Sequence, residues 1–366
     1  MGLKKVIISG GGTGGHIFPA IAIADEIQRR NPDADILFVG AEGKMEMEKV
    51  PAAGYKIEGL QIAGFQRKLS LSNFALPFKI IKSLLKAKKI VKQFQPQVAV
   101  GVGGYASGPT LKAATMLKVP SLVQEQNSFP GKTNKLLAKS VQKICVAYEG
   151  LDRFFPNEKI VLTGNPTRKE MVETDGKKEE GYKFYGFDPT KKTLLIIGGS
   201  LGALTLNISV INNLDKIKSS GVQVLWQCGK LYHERISKDL NETNLGSIKM
   251  VEFIERMDLA YAIADLVISR AGAISVSELC LVKKPIILVP SPNVAEDHQT
   301  KNAMALVNKN AAILVKDIEA KEVLIDTALD LIEDESKKKE LSSNIADLGK
   351  PNATSSIVDE LEKLVN

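Results

Sequence analysis

Two glycine-rich stretches, each following an apolar run, are the parts of this chain best suited to hold a phosphate. The first, VIISGGGTGGHIFPA at residues 6–20, spaces Gly10, Gly12 and Gly15 as G-x-G-x-x-G and adds Thr13 and His16. Glycines let the main chain approach a phosphate. The helix that follows offers unpaired N–H groups and the positive end of its dipole. The second stretch, GGSLGA from Gly198 to Ala203, repeats this chemistry and adds the hydroxyl of Ser200. On the first loop alone, a dinucleotide and another phosphate ligand both remain open. A redox reading needs an acid at the end of the second strand, where Glu42 stands.

Other stretches offer partners for the rest of a nucleotide sugar. In SRAGAISVSE, from Ser269 to Glu278, a strand ends, Gly272 turns the chain, and a helix starts near Ile274. Ala273, Ile274 and Ser275 occupy the helix start, and Glu278 lies one turn in, where a carboxylate can take both hydroxyls of a ribose. GNPTR ends on Arg168, placed to reach a diphosphate. EDHQTKNA gathers Asp297, His298, Gln299 and Asn302, a set suited to sugar hydroxyls, and QEQNS puts Glu125 and Asn127 at a strand's carboxyl end. Each stretch also has a plainer reading: a tight turn, an acid serving a helix dipole, an exposed arginine or a helix cap. Asp33 to Asp35 spell D-x-D, but they precede a strand and so lie at the wrong end of a sheet for a metal site. His16, His233 and His298 lack ligand spacing, and Cys145, Cys228 and Cys280 are too scattered for zinc or a disulfide framework. No metal and no cofactor is expected.

The elements that must position these residues read as α/β. With 366 residues the chain is too long for one ordinary core. Strands such as KVIISG, ADILFVG, QVAVGVGG and PSLVQEQ alternate with helices, and the pattern restarts at KTLLIIGGSLGALTLN. Unbroken apolar strands between helices indicate parallel sheets covered on both faces. The expectation is two doubly wound, Rossmann-like domains facing across a cleft: residues 1–167, residues 168–340, and a C-terminal helix over 341–366 that packs back on the first domain. Ligands then belong outside the carboxyl ends of the strands.

Charge is local. The net charge is +7, yet Phe65 to Gln95 alone hold eight basic residues and no acidic one. The helix in this stretch reads as a surface element burying Ile81, Leu84, Leu85 and Val91. That leaves Phe74, Phe78 and Ile80 among Lys79, Lys82 and other lysines, a composition that favours an anionic membrane surface. Nucleic acid is not expected, since no recognition motif accompanies the charge. No apolar run approaches the roughly 20 residues of a membrane span, and Val6 to Ile8 is too short for a signal-peptide core. A reduced, cytoplasmic location is expected.

Taken in order, GGGTGGHIFPA, GVGGYASGP, QEQNSFPGKTNKLLA, GNPTR, GGSLGA, SRAGAISVSE and EDHQTKNA resemble the MurG family, bacterial transferases that move N-acetylglucosamine from UDP-GlcNAc onto lipid I to give lipid II. The resemblance runs from about Lys5 to Asn302 and more loosely to the C-terminus. It implies the GT-B fold, an inverting reaction without a metal in the site, and residence on the inner face of the cytoplasmic membrane. Carried over by position, Ser200 and Ala273 to Ser275 meet the diphosphate, Ile254 meets uracil through its backbone, Glu278 the ribose and Gln299 the sugar. Thr13, Gly14, Gly15, Asn127 and Arg168 join this donor set, while Tyr105 and Asn134 fall on the acceptor side. Relatives often carry histidine at Gln124, so a role resting on that imidazole does not transfer, and His298 also varies. The implied partners are UDP-GlcNAc, lipid I, the anionic membrane, and proteins of cell-wall synthesis and division.

For mechanism, the sequence points to His16 as the base that takes the acceptor proton, because a helix N-terminus disfavours imidazolium. Glu125 is the reserve. The rival readings are a UDP-GlcNAc 2-epimerase, a non-catalytic membrane-docked subunit and, more remotely, a dehydrogenase.

Overall fold

The protein is described by a computed structural model covering residues 2–62, 76–167, 169–240 and 245–365. The chain forms two compact units, Met1–Thr167 with Lys350–Asn366, and Arg168–Gly349. Phe74, Arg168 and the side chain of Phe78 lie outside the described residues.

The first unit is built on seven parallel strands: β1 (Lys5–Ser9), β2 (Asp35–Ala41), β3 (Lys56–Leu60), β4 (Val98–Gly101), β5 (Ser121–Glu125), β6 (Lys143–Val146) and β7 (Ile160–Leu162). Their order is β3-β2-β1-β4-β5-β6-β7. Side chains alternate across the sheet. Val6 and Ile8 of β1 therefore enter one core with Ile17, Ile23 and Ile27 of the helix Gly14–Arg30, while Ile7 enters the other with Val39, Ala99 and Leu111. The sequence reading has no strand at β3. That strand lies at the sheet edge and exposes Lys56 and Glu58, so it lacks the apolar run that marks its neighbours.

The second unit has six parallel strands, β8 (Thr193–Ile197), β9 (Gln223–Gln227), β10 (Ile248–Val251), β11 (Leu266–Ser269), β12 (Ile286–Leu288) and β13 (Ile313–Leu314), ordered β10-β9-β8-β11-β12-β13. The chain returns to the first unit at Lys350, later than the expected boundary at 341. The helix Glu335–Ala346 packs on Ala273–Val282 and Ala320–Glu333, which keeps it with the second unit. The helix Ala353–Lys363, by contrast, packs on Gly14–Arg30 and adds Ile357, Val358 and Leu361 to the first core. Arg30 fastens it by donating to Asp359 at 2.6 Å and to Ser355 Oγ at 2.6 Å. Arg29, then Arg30, hold the Glu26 carboxyl down to about 2.

In both units, main chain lies directly on main chain at the strand ends. Gly104 has φ +86°, and a Cβ there would fall 2.3 Å from Gly11 O. In the second unit a Cβ on Gly229 would fall 2.1 Å from Gly202 N. Replacing Gly104 with alanine is expected to cost about 3 kcal/mol or more, through positive φ and backbone overlap together. Urea unfolding checks this, and an unchanged midpoint would mean that the two loops do not touch.

Candidate active site

In the first unit the site grows from the ends of β1, β4 and β5. The helix Gly14–Arg30 starts after Thr13, whose extended backbone caps it, so His16 sits in the first turn. Its Nδ1 lies 3.4 Å from Thr13 Oγ1. The ring packs over Gly103, where a Cβ would come within 2.9 Å of Cδ2 and Nε2. Thr13 and Gly15 are exposed beside it, Gly14 is half-buried, and Tyr105 is exposed just beyond the second glycine pair.

Glu125 is a different case from the one the sequence suggests. It is buried, and both carboxylate oxygens are taken by protein donors. Oε1 accepts from Asn127 N at 3.0 Å and Nδ2 at 3.2 Å, and Oε2 from Gly131 N at 3.0 Å and Asn134 Nδ2 at 2.9 Å. Burial pushes its carboxyl up against these donors. These bonds tie Glu125 to the segment 126–134, and as a reserve base it would first have to give some of them up. Asn134, expected on the acceptor side, is buried in the helix Lys132–Leu137 and donates to Glu125. Gln124 donates to Asn165 Oδ1 at 2.9 Å and accepts from Gln126 Nε2, while Asn165 Nδ2 reaches Gln126 O at 3.0 Å. Three amides thus tie β5 to the GNPTR segment.

In the second unit the donor candidates follow four strands, β10, β8, β11 and β12, of the sheet ordered β10-β9-β8-β11-β12-β13. Ile254 follows β10, Ser200 follows β8, Ala273 to Ser275 follow β11, and Gln299 follows β12. Ser200 is exposed, Ala273, Ile274 and Ser275 are half-buried at the helix start, and Glu278 is buried one turn in. Ile254 N donates to Gln227 Oε1 at 2.9 Å, which leaves its carbonyl as the backbone group to meet a base. Gln299 Oε1 accepts from Ser291 N at 2.9 Å, which orients its amide over the β12 loop. A groove of about 610 Å³ beside this row, lined by Thr205, Pro290, Asp297, Thr300 and Asp317 among others, includes none of these donor candidates. Among the described residues no three His, Cys, Asp or Glu side chains gather as metal ligands would.

The two remaining sequence candidates resolve simply. Glu42, the acid a dinucleotide reading needs, is paired with Lys86 at 2.9 Å. The basic helix Leu76–Phe94 buries Ser83, Ala87, Ile90 and Val91, not Ile81 and Leu85 as expected. Ile81 is 57% and Leu85 63% exposed, and they lie with exposed Ile80, Lys79 and Lys82.

Comparison with known proteins agrees with this layout. Residues 6–146 match the glycosyltransferase family 28 N-terminal domain and residues 193–359 its C-terminal domain. The chain belongs to glycosyltransferase family 28. Family 28 relatives from Phocaeicola vulgatus and Flavobacterium psychrophilum, each named UDP-N-acetylglucosamine--N-acetylmuramyl-(pentapeptide) pyrophosphoryl-undecaprenol N-acetylglucosamine transferase, are 56% and 54% identical. Each alignment covers 99% of this chain and 96% or 98% of the relative. The crystal structure of MurG from Acinetobacter baumannii matches with a TM-score of 0.78 at 30% identity, over 98% of this chain and 99% of that one. The chain is a MurG-type member with the GT-B fold. A Neisseria meningitidis UDP-GlcNAc 2-epimerase shares the fold, with a TM-score of 0.69 at 17% identity over 99% and 100% of the two chains.

Within this family 28 chain the structure reveals organisers that the sequence reading passed over. Gln227, buried at the end of β9, donates to Gly199 O at 2.9 Å while accepting from Ile254 N. One amide therefore spaces the second glycine loop from the Ile254 segment. A polar residue closing the apolar run VQVLW was the available signal. Arg270 donates to Val289 O at 3.0 Å, Pro290 O at 3.2 Å and Asp317 at 2.5 Å, joining the loops after β11, β12 and β13. Gln227→Leu leaves both backbone partners unpaired, at about 1–3 kcal/mol each. Hydrogen exchange at Ile254 is expected to quicken by about tenfold or more. Exchange at the parent rate would show that the bridge does not hold the loop.

Proposed function

We propose that this chain transfers N-acetylglucosamine from UDP-GlcNAc to the muramyl 4-hydroxyl of an undecaprenyl-diphosphate-linked muramyl pentapeptide, converting lipid I to lipid II. The observation that carries this reading is near-full-length identity of 54–56% to relatives named for the transfer, in a chain whose second-unit donor candidates follow four strands of one parallel sheet. In a direct displacement, the acceptor oxygen forms a bond to the anomeric carbon as the bond to the UDP oxygen breaks. Configuration inverts to a β-1,4 link, and the hydroxyl proton passes to the imidazole of His16. UDP departs with growing negative charge. The helix start at Ala273 to Ser275 and the hydroxyl of Ser200 supply dipoles and a donor for it. Buried Glu278 suits the ribose and Gln299 the sugar hydroxyls.

The acceptor is a lipid, and the exposed Ile80, Ile81 and Leu85 among lysines suit an anionic bilayer. Among the described residues no helix is long and apolar enough to cross a membrane. The reading offered is peripheral attachment at the cytoplasmic face through this exposed apolar and basic helix face.

Labelled GlcNAc is expected to move from UDP-GlcNAc to a lipid I analogue with EDTA present, and His16→Ala to lower kcat by about 10²–10⁴-fold. No transfer would overturn the activity, while near-parent turnover in the variant would overturn the base. Formation of UDP-ManNAc from UDP-GlcNAc alone would favour the epimerase reading. For attachment, Ile81→Asp with Leu85→Asp should weaken sedimentation with phosphatidylglycerol vesicles more than about tenfold, since each buried apolar side chain contributes about 1.5–3 kcal/mol. Unchanged sedimentation would place the membrane contact elsewhere.

A further inference from the structure

Glu46 opens the short helix Glu46–Ala52 in a stretch to which the sequence assigns no chemistry. Its side chain is buried, yet it carries a carboxylate. Oε2 accepts from Gly12 N at 2.8 Å, and Oε1 accepts from Ala41 N at 3.0 Å. The group is pressed against the first glycine loop: a Cβ on Gly11 would lie 2.2 Å from the carboxyl carbon, and one on Gly40 would lie 2.6 Å from Cγ.

A glycine loop leading into a helix normally turns its N–H groups toward an external anion. Here the N–H of Gly12 already faces an internal one. The same loop is the support on which the catalytic candidate rests. Gly11 is the backbone that Gly104 lies against, and the adjoining Gly103 is the floor under the His16 ring. Contacts therefore run without a gap from Glu46 through Gly11–Gly12 and Gly103–Gly104 to the imidazole, all inside the first unit. A carboxylate meets the need because two N–H donors require two acceptors. Glutamine, nearly the same shape, would turn an NH₂ against one of those donors.

We propose that Glu46 is a positioning residue for His16: an internal anion that occupies Gly12 N–H, fixes the first glycine loop and so sets where the imidazole meets the acceptor. This rests on the reading of His16 as the base. Its corollary is that Gly12 N–H is not a diphosphate ligand.

The test is a double-mutant cycle on the full chain, comparing the parent, Glu46→Gln, His16→Ala and the double variant. For each, kcat and both KM values are measured with UDP-GlcNAc and a lipid I analogue. A loop displaced by about an ångström is expected to lower kcat about 10–100-fold in Glu46→Gln, with the KM for UDP-GlcNAc within about threefold of parent. In the His16→Ala background the same change should lower kcat less than about twofold, because the group being positioned is gone. An equal loss in both backgrounds overturns the proposal, since Glu46 then acts on something other than His16. Parent kcat in Glu46→Gln beside a crippled His16→Ala also overturns it while leaving the base reading intact. An active His16→Ala removes the base reading and this proposal with it. If Glu46→Gln does not fold, Glu46→Asp, which keeps the charge one methylene short, enters the same cycle under the same criteria.

Discussion

Where Gly104 meets Gly11, and where Gly229 meets Gly202, there is no room for a single carbon between two backbones. Much else follows from that exclusion. Parallel strands deliver their following loops to one end of each sheet, and only loops stripped of side chains can lie flat on one another there. The contact fixes the first turn of the helix Gly14–Arg30, and so the height at which His16 stands over Gly103. The related contact in the second unit fixes the loop that carries Ser200. The stacking glycine of the first loop is Gly11, a position that the nucleotide fingerprint of Gly10, Gly12 and Gly15 leaves open.

Buried polar side chains do the remaining alignment, and each spends its hydrogen bonds on backbone or on another fixed group. Glu125 satisfies four donors, Gln227 spans two loops and Arg270 joins three strand ends. A buried donor or acceptor left unpaired costs more than the bond itself contributes. These groups therefore penalise displacement of the loops more than they add to stability. Moving any one of these loops would strand polar atoms away from water.

The same logic divides what the sequence discloses from what it withholds. β1, β8 and β11 are legible because a strand buried on both faces must be apolar throughout, and the two glycine loops because their composition is so restricted. β3 is not legible, since an edge strand with Lys56 and Glu58 in water imitates a loop. Ser200, Glu278 and Gln299 are found as candidates by their place after a strand or early in a helix, and the structure puts them there. Glu125 has the right place as well, but whether a carboxylate faces substrate or its own loop depends on residues up to nine positions away, Asn134 among them. Ile81 and Leu85 show the limit of helical periodicity. It identifies an apolar stripe, but Ala87, Ile90 and Val91 decide which stripe turns inward. Glu46 is the extreme case, since its partners are Gly12 in the first glycine loop and Ala41 at the end of β2.

The helix Ala353–Lys363 has a consequence for how the first unit closes. Its Ile357, Val358 and Leu361 complete a core that also holds Ile17, Ile23 and Ile27 from far earlier in the chain. During synthesis that apolar face stays uncovered until this helix has been made, while the second unit is continuous in sequence and can close before it. Removing the segment from Lys350 onward would leave the face bare. The second unit is threaded whole between the two pieces that seal the first.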